Sequence, residues 1–397
     1  MGSLQSSLRD HMESESDGKN EVGLREIRPR LKVGTLVLPR EEFTYVGRLD
    51  EGLAITCAAR SALNFLNGEQ SCQELSQNLG TPLAEIAALV MELDNAALID
   101  TEATTIRVHT RFHSPNAHRA SHAGDDSNDA AFQQLKVKLA PELNAATWLS
   151  NVRDGGVSIV NSRRNWQINI YGESRIATLL YGILLSSGIT QTRLHPPQEN
   201  KSIAESDLCA GYLRAGDIGL SYKARTEELA RELSLFPITS NRSANYEDLG
   251  KTEGNSGETG NQRISIVVGT PPSDLLQKWM SEGVTHILID DPDGASVTVG
   301  PLIIPGQTPC SRCVSIGNED LNNLWRDIAW KKQRTPSTEV PVAVAHLVAG
   351  MVALELLQYL DEGSSELLGT STRIKFHTPA ATERRLYARH PACGCTW

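Results

Sequence analysis

The sequence predicts an α/β protein of two units, a small N-terminal module of strands followed by helices and a larger domain built on a mostly parallel sheet. Three observations predict this fold class. The chain of 397 residues is longer than one typical domain. Short β-rich runs precede three helical segments in the first quarter, and strands alternate with helices beyond residue 150. Four of the seven cysteines form two close pairs near the C-terminal end, which indicates a closed metal site.

Changes in composition divide the chain into four stretches. Residues 1–25 are polar and charged without an apolar period, so we expect disorder there. The strand-and-helix module covers 26–105. A polar linker with one short helix follows at 106–150, and the α/β domain covers 151–397.

Charge and hydropathy exclude several partners. The formal net charge of -10 argues against a nucleic-acid surface. The N-terminus has no apolar stretch typical of a signal peptide. The longest apolar run, 342–360, contains His346 and Glu355, so it predicts a buried core helix rather than a membrane span. We expect a cytoplasmic protein without membrane contact, in which clustered cysteines bind metal more often than they form disulfides.

The N-terminal module changes from a strand pattern to a helical period near residue 58. Two β-rich runs between residues 30 and 57 are broken by glycine and proline, and three helical stretches follow up to residue 100. Ser71 with Glu74 three residues later is a capping-box pattern for the second helix. Strands followed by three short helices predict a winged-helix-like module.

An edge strand of such a module can bind a peptide, because its free backbone groups accept the peptide as a further strand. We place this edge at 53–57, with the third helix opposite. The predicted groove residues are Leu53, Ala54, Ile55, Thr56, Cys57, Ile86, Val90 and Leu93. The same apolar residues can also form the core of the module. A DNA-reading role is disfavoured, because segment 83–93 carries two glutamates and no basic residue.

The second unit shows the β/α alternation of a parallel sheet with helices on its faces. Strand candidates lie at 157–161, 166–172, 263–269 and 286–291, and helix candidates at 177–188 and 224–236. The turn after the second of these strands occupies the place where a nucleotide-binding sheet has its glycine-rich loop.

That turn departs from the G-x-G-x-x-G fingerprint. Only Gly172 remains, because Ser174 and Ala177 stand at the second and third glycine positions. Glu173 would repel a phosphate. The next strand ends in His195 and two prolines instead of an acid that could hold a ribose. The sequence therefore predicts a retained fold with a lost nucleotide site, and ATP is not an expected cofactor.

The cysteine pairs predict a structural zinc site. Their members are Cys310, Cys313, Cys393 and Cys395. Four thiolates close a tetrahedral zinc site and leave no open position, although either pair alone is compatible with a redox dithiol. His390 is an alternative ligand. No Gly-x-Ser-x-Gly elbow and no His-Glu-x-x-His sequence is present, so we predict no catalytic residue.

Two phrases in the second unit carry a family resemblance. The run from Gly300 to Cys313, the apolar helix after it and the ending from His390 to Cys395 resemble the ThiF-like fold related to ubiquitin-activating enzymes. They are most similar to the ThiF-like proteins that accompany YcaO cyclodehydratases in thiazole/oxazole-modified peptide biosynthesis. The module around "LNGEQSCQELSQNLG" resembles the PqqD-like peptide-recognition element of these pathways.

The resemblance implies a non-catalytic function. Members of this branch bind the leader of a ribosomal precursor peptide and present its core to a YcaO enzyme, which cyclises Cys, Ser or Thr side chains with ATP. A leader peptide, a YcaO enzyme and a second copy of the chain are thus the implied partners. Catalytic members of the wider superfamily adenylate a carboxylate, so an ATP-dependent adenylyltransferase is the alternative.

Overall fold

The structure is a computed structural model that describes residues 25–56, 58–102, 137–196, 198, 200–235, 262–271, 273–332, 334 and 339–395. The chain divides into two compact units, Met1–Val160 and Asn161–Trp397. The stretch expected to be disordered lies outside the described residues, except for residue 25, and so does most of the predicted linker.

The first unit has the predicted order of strands followed by three helical segments. Its strands are β1 (Arg30–Leu31), β2 (Leu36–Pro39), β3 (Thr44–Gly47), β4 (Gly52–Ile55) and β5 (Ile99–Asp100). Strands β2, β3 and β4 form an antiparallel sheet in that order, while β1 pairs with β5. The helical segments are a 3₁₀ helix (Ala58–Phe65), α1 (Cys72–Leu79) and α2 (Leu83–Asn95). The first of the three predicted helices is therefore of the tighter 3₁₀ type.

The predicted capping box at the start of α1 is confirmed. The Ser71 hydroxyl accepts from the Glu74 backbone N–H at 3.2 Å, and the Glu74 carboxylate accepts from the Ser71 N–H at 2.7 Å. The backbone hydrogen bond to Ser71 is the largest contribution that lowers the pKa of Glu74. Gly80 ends the helix in the left-handed conformation, with a φ of 64° that favours glycine.

The segment near residue 150 packs within the first unit. The buried Lys32 ammonium donates to the Thr147 and Val152 carbonyls at 2.7 and 2.9 Å. The Thr147 hydroxyl donates to Asp100 at 2.9 Å. Burial lowers the pKa of Lys32, which the neighbouring charge of Asp100 partly offsets. These bonds explain why the first unit continues past residue 150 to Val160.

The second unit is built on one seven-stranded sheet. Its strands are β6 (Trp166–Tyr171), β7 (Gln191–His195), β8 (Gln262–Val268), β9 (Thr285–Ile289), β10 (Ser296–Ile303), β11 (Thr370–Lys375) and β12 (Glu383–Leu386), in the spatial order β12-β11-β10-β9-β8-β6-β7. The four strands β7, β6, β8 and β9 are parallel, and the other three are antiparallel. The sheet therefore has the expected α/β character with an antiparallel extension.

One short helix, α3 (Val157–Ser162), spans the boundary between the two units in the chain. The helices of the second unit are α4 (Arg175–Ser186), α5 (Tyr222–Leu233), α6 (Ser273–Ser281), α7 (Ser311–Leu321), α8 (Trp325–Lys332) and α9 (Val342–Glu362). The largest buried apolar cluster joins α4 and α9 to the central strands. Among the described helices, α9 alone has the length and hydropathy to cross a membrane, but its buried stripe belongs to this core.

The strand predicted at 157–161 is wrong, because these residues form helix α3. Its β-branched residues favour a strand locally. However, the Asp154 carboxylate accepts hydrogen bonds from the Ser158 and Gly156 backbone N–H groups at 2.7 and 3.1 Å. An aspartate that binds the free N–H groups of a first turn starts a helix. The capping chemistry at Asp154 therefore outweighs the strand preference.

Candidate functional site

The four clustered cysteines come from two local structures. Cys310 is the N-cap of α7, where its sulfur accepts from the Cys313 backbone N–H at 3.4 Å. Cys313 therefore lies one turn into the helix, on the same side. Cys393 and Cys395 flank Gly394, whose φ of 75° permits a tight turn between them. Both pairs consequently present their sulfurs to one point.

The four sulfurs have the separations of a tetrahedral ligand set. All four Sγ atoms lie within 4.8 Å of one another. The Cys310–Cys393 distance is 3.3 Å, the Cys313–Cys395 distance 3.4 Å and the Cys310–Cys313 distance 3.7 Å. Sulfurs at about 2.3 Å from a tetrahedral zinc ion lie roughly 3.8 Å apart. The cluster can bind a metal ion, and its size and thiolate chemistry are compatible with zinc.

His390 supports this cluster from its backbone. Its N–H donates to the Cys313 sulfur at 3.2 Å, and its ring Nε2 lies 3.0 Å from an Asp320 carboxylate oxygen. Burial raises the pKa of Cys313, but the His390 N–H and the neighbouring thiols outweigh it and lower that pKa to about 7. The thiolate is the form that binds metal. The alternative of His390 as a metal ligand is not required, because four sulfurs complete the set.

The turn between β6 and α4 begins with a glycine that its surroundings require. Gly172 has a φ of 148°, and a Cβ atom here would lie 2.8 Å from the Val268 carbonyl oxygen, so only glycine fits. Ser174 caps α4 by accepting from the Ala177 N–H at 3.4 Å. The N-terminus of α4 thus lies at the carboxyl end of the parallel strands, where such folds bind ligands.

A carboxylate of the chain itself occupies this helix N-terminus. Glu339 Oε2 accepts from the Arg175 backbone N–H at 3.3 Å. The Arg175 Nη1 donates to the Val340 carbonyl at 2.9 Å, and its Nε is buried without a partner among the described residues. Burial raises the pKa of Glu339, while Arg175 opposes that change.

Further charges surround the same turn. The Lys201 ammonium lies 2.8 Å from Asp207 and 3.9 Å from Glu173. The second Glu173 oxygen, Oε2, is buried without a partner in the described part of the chain. Three carboxylates and two cations therefore line the region, and a phosphate would add negative charge to an acidic set.

Two further acids follow strand β9 at the same edge of the sheet. Asp290 and Asp291 follow Ile289, the last residue of this parallel strand. Burial raises the pKa of Asp290, and Lys332 partly offsets this effect. Asp291 accepts a hydrogen bond from Thr270 at 2.7 Å. These two carboxylates could bind the magnesium ion that accompanies a nucleotide phosphate.

The predicted groove residues divide into buried and exposed sets. Ile55, Ile86, Val90 and Leu93 are at most 1% exposed and belong to the core of the first unit. Leu53 is half-buried, Ala54 and Thr56 are exposed, and Cys57 lies outside the described residues. The buried side chains support the module from within, so a peptide at this surface would contact the exposed set and the strand backbone.

Strand β4 forms one edge of the three-stranded sheet. Among the described residues it pairs with β3 alone. The Arg48 N–H donates to the Glu51 carbonyl at 2.7 Å, which fixes the alternation of bonded and non-bonded pairs along the hairpin. By this alternation the backbone groups of Gly52 and Ala54 point away from β3, and Thr56 continues the pattern. No other group in the described ranges bonds with them, so they can bond with an added strand.

Sequence reasoning did not identify Glu339, Lys201 or Asp207 as neighbours of the turn. Glu339 lies 164 residues from its partner Arg175. No local period or spacing connects two such positions. The available signal is an acidic residue two positions before Pro341, the N-cap of α9, which by itself indicates only a helix boundary.

Comparisons with known proteins give a similarity of fold. No protein-family model matches the chain, and no curated protein sequence matches it. The structure of E. coli MccB with ATP has a TM-score of 0.57 and 14% identity, and the alignment covers 93% of this chain and 99% of that chain. The microcin C7 biosynthetic enzyme MccB in complex with N-formylated MccA has a TM-score of 0.56 and 14% identity, and the alignment covers 93% of this chain and 99% of that chain.

PaaA is a more distant match. Its TM-score is 0.51 at 12% identity, and the alignment covers 76% of this chain and 91% of PaaA. At these identities the likeness shows the fold alone. The expected α/β fold is thus supported by a match that covers 93% of the chain.

Proposed function

We propose that this chain binds the leader of a ribosomal precursor peptide and presents the peptide to a YcaO cyclodehydratase, without catalysing a reaction itself. The first unit would hold the leader as an added strand on β4. The clustered cysteines would hold a structural zinc ion, and the protein would act as a cytoplasmic homodimer. MccB, which shares the fold, was solved in complex with MccA.

The open edge of β4 carries this proposal. Its outward backbone groups at Gly52 and Ala54 provide the hydrogen bonds that hold a peptide in strand addition. The opposite edge of the sheet differs, because the same alternation turns Pro39 of β2 outward, and proline has no N–H to donate. Strand addition is therefore favoured at β4 over β2.

The acidic turn at α4 supports the non-catalytic part of the proposal. A nucleotide phosphate needs backbone N–H groups at this helix N-terminus. Here Glu339 accepts the Arg175 N–H, and Glu173 adds a second carboxylate. Adenylation of a carboxylate would require ATP against this negative charge.

An ATP-dependent adenylyltransferase is the second candidate. Asp290 and Asp291 lie at the carboxyl edge of the sheet, where carboxylates could hold the magnesium ion of ATP. MccB was solved with ATP and, together with MccA, with AMPCPP. Release of pyrophosphate from ATP in the presence of a peptide is the observation that would favour this candidate.

The strand-addition model is tested by Ala54→Pro. The substitution removes the outward N–H of β4 but leaves the bonds between β4 and β3, because Ala54 belongs to a non-bonded pair. We expect the affinity for a precursor leader peptide that the wild type binds to fall about tenfold or more, since a lost backbone hydrogen bond and a proline ring both oppose pairing. Fluorescence anisotropy of the labelled leader measures this change.

Ala54→Val is the matched control, because it keeps the N–H and changes only an exposed side chain. We expect it to retain the wild-type affinity. If Ala54→Pro is folded and binds the leader as tightly as the wild type does, the peptide does not add to β4.

A further inference from the structure

We propose that Glu339 is an internal anion that occupies the phosphate position at the N-terminus of α4 and competes there with nucleotides. The inference rests on the non-catalytic part of the proposed function and adds the group responsible for it. Loss of glycines in the turn is then only part of the reason why ATP is excluded.

The hydrogen bonds at the start of α4 show that the Glu339 carboxylate accepts from an N–H group that could otherwise bind a ligand anion. The first N–H groups of a helix have no partner within the helix and bind anions when a ligand is present. In this chain Glu339 takes the Arg175 N–H at 3.3 Å, and the Ser174 hydroxyl takes the Ala177 N–H at 3.4 Å. Two of the donors that a phosphate would use are thus already engaged.

The contacts of the neighbouring residue hold Glu339 in this place. Val340 is 1% exposed and accepts from the Arg175 guanidinium at 2.9 Å. Arg175 therefore binds the Glu339–Val340 segment twice, through its backbone and through its side chain. This segment leads directly into α9, a core helix of the second unit.

The remaining charges act in the same direction. Glu173 and Asp207 lie at the turn, and Lys201 binds both of them. Lys201 is therefore engaged by carboxylates instead of facing a vacant anion site. The guanidinium of Arg175 is engaged as well, because its Nη1 donates to the Val340 carbonyl, although its Nε is buried without a partner in the described residues.

The test is calorimetric titration of the full chain with magnesium-ATP and with inorganic pyrophosphate. Glu339→Gln removes the charge and keeps the shape, and Glu339→Ala removes both. We expect no saturable binding by the wild type. Both variants should bind with affinities at least about tenfold above the wild-type detection limit, and Glu339→Ala should bind more tightly than Glu339→Gln. The reason is that an internal competitor lowers the apparent affinity by the fraction of time it occupies the site.

Glu232→Gln, an exposed substitution on α5, is the matched control and should behave as the wild type does. Thermal melting establishes that each variant is folded. If folded Glu339→Gln and Glu339→Ala bind neither ligand better than the wild type, the inference fails, while the non-catalytic function stands. Micromolar binding of ATP by the wild type would overturn both.

Discussion

At the scale of single residues, the turn after β6 requires glycine at position 172, because a Cβ atom there would lie 2.8 Å from the Val268 carbonyl oxygen. Two carboxylates lie at this turn. Glu173 belongs to the turn itself, and Glu339 lies 164 residues beyond Arg175, whose backbone N–H donates to it. These carboxylates make the turn acidic.

The cysteine cluster yields the first prediction at this scale. Cys393→Ser removes one of four sulfurs that lie within 4.8 Å of one another. We expect the zinc content to fall from about one ion per chain to well below one, and the melting temperature to fall by roughly 10 °C, because a structural zinc ion contributes folding free energy directly. Elemental analysis and calorimetry measure both quantities.

Cys209→Ala serves as the control, because Cys209 is a buried thiol outside the cluster. Its zinc content should equal that of the wild type. A folded wild-type protein purified without chelator that contains no zinc would contradict the site.

The central strands carry a polar row inside the sheet. Asn169 of β6, Ser265 of β8 and His286 of β9 are in register, and all three are buried. The His286 Nδ1 lies 2.8 Å from the Val284 carbonyl, so this nitrogen carries the proton and donates. Its Nε2 has no partner among the described residues, and burial lowers the pKa of His286.

This histidine predicts a pH dependence of stability. Because the folded pKa of His286 lies below the unfolded value of about 6.5, the unfolded chain binds the proton more readily. The folded state therefore loses stability as the pH falls below about 6.5. His286→Phe keeps an aromatic ring against Trp279 and removes the titration. We expect the wild type to lose more melting temperature than this variant does between pH 7.5 and 5.5.

The exposed His377 provides the comparison, and His377→Gln should follow the wild type across this range. Equal pH dependence of the wild type and His286→Phe would show that His286 does not couple protonation to folding.

Elements were predictable where a local signal decided them. The capping box at Ser71 and Glu74 and the parallel strands β6, β8 and β9 follow from residue patterns in one short window. Helix α3 was not predicted, because its β-branched residues favour a strand and the deciding cap at Asp154 precedes them. The edge status of β4 was expected, but the burial of Ile55 and Ile86 depends on packing between elements.

At the scale of the whole molecule, the match to MccB covers 93% of the chain at 14% identity. A fold that persists at such identity depends on the burial pattern and topology and tolerates new side chains at its sites. This explains why the sequence predicted the cysteine cluster, in which each of the two pairs has a short local spacing, but not the Arg175–Glu339 contact, which tertiary packing creates.

Hydrogen–deuterium exchange of the full chain tests whether a leader peptide adds to strand β4 and whether ATP binds at the turn after β6. The amides are compared for the chain alone, with a precursor leader peptide that the chain binds, and with magnesium-ATP. We expect the leader to slow amide exchange at Gly52, Ala54 and Thr56, and ATP to leave the exchange of residues 172–177 unchanged. Protection of residues 172–177 by ATP would contradict this proposal. Unchanged exchange at residues 52–56 with a leader that binds would contradict it as well.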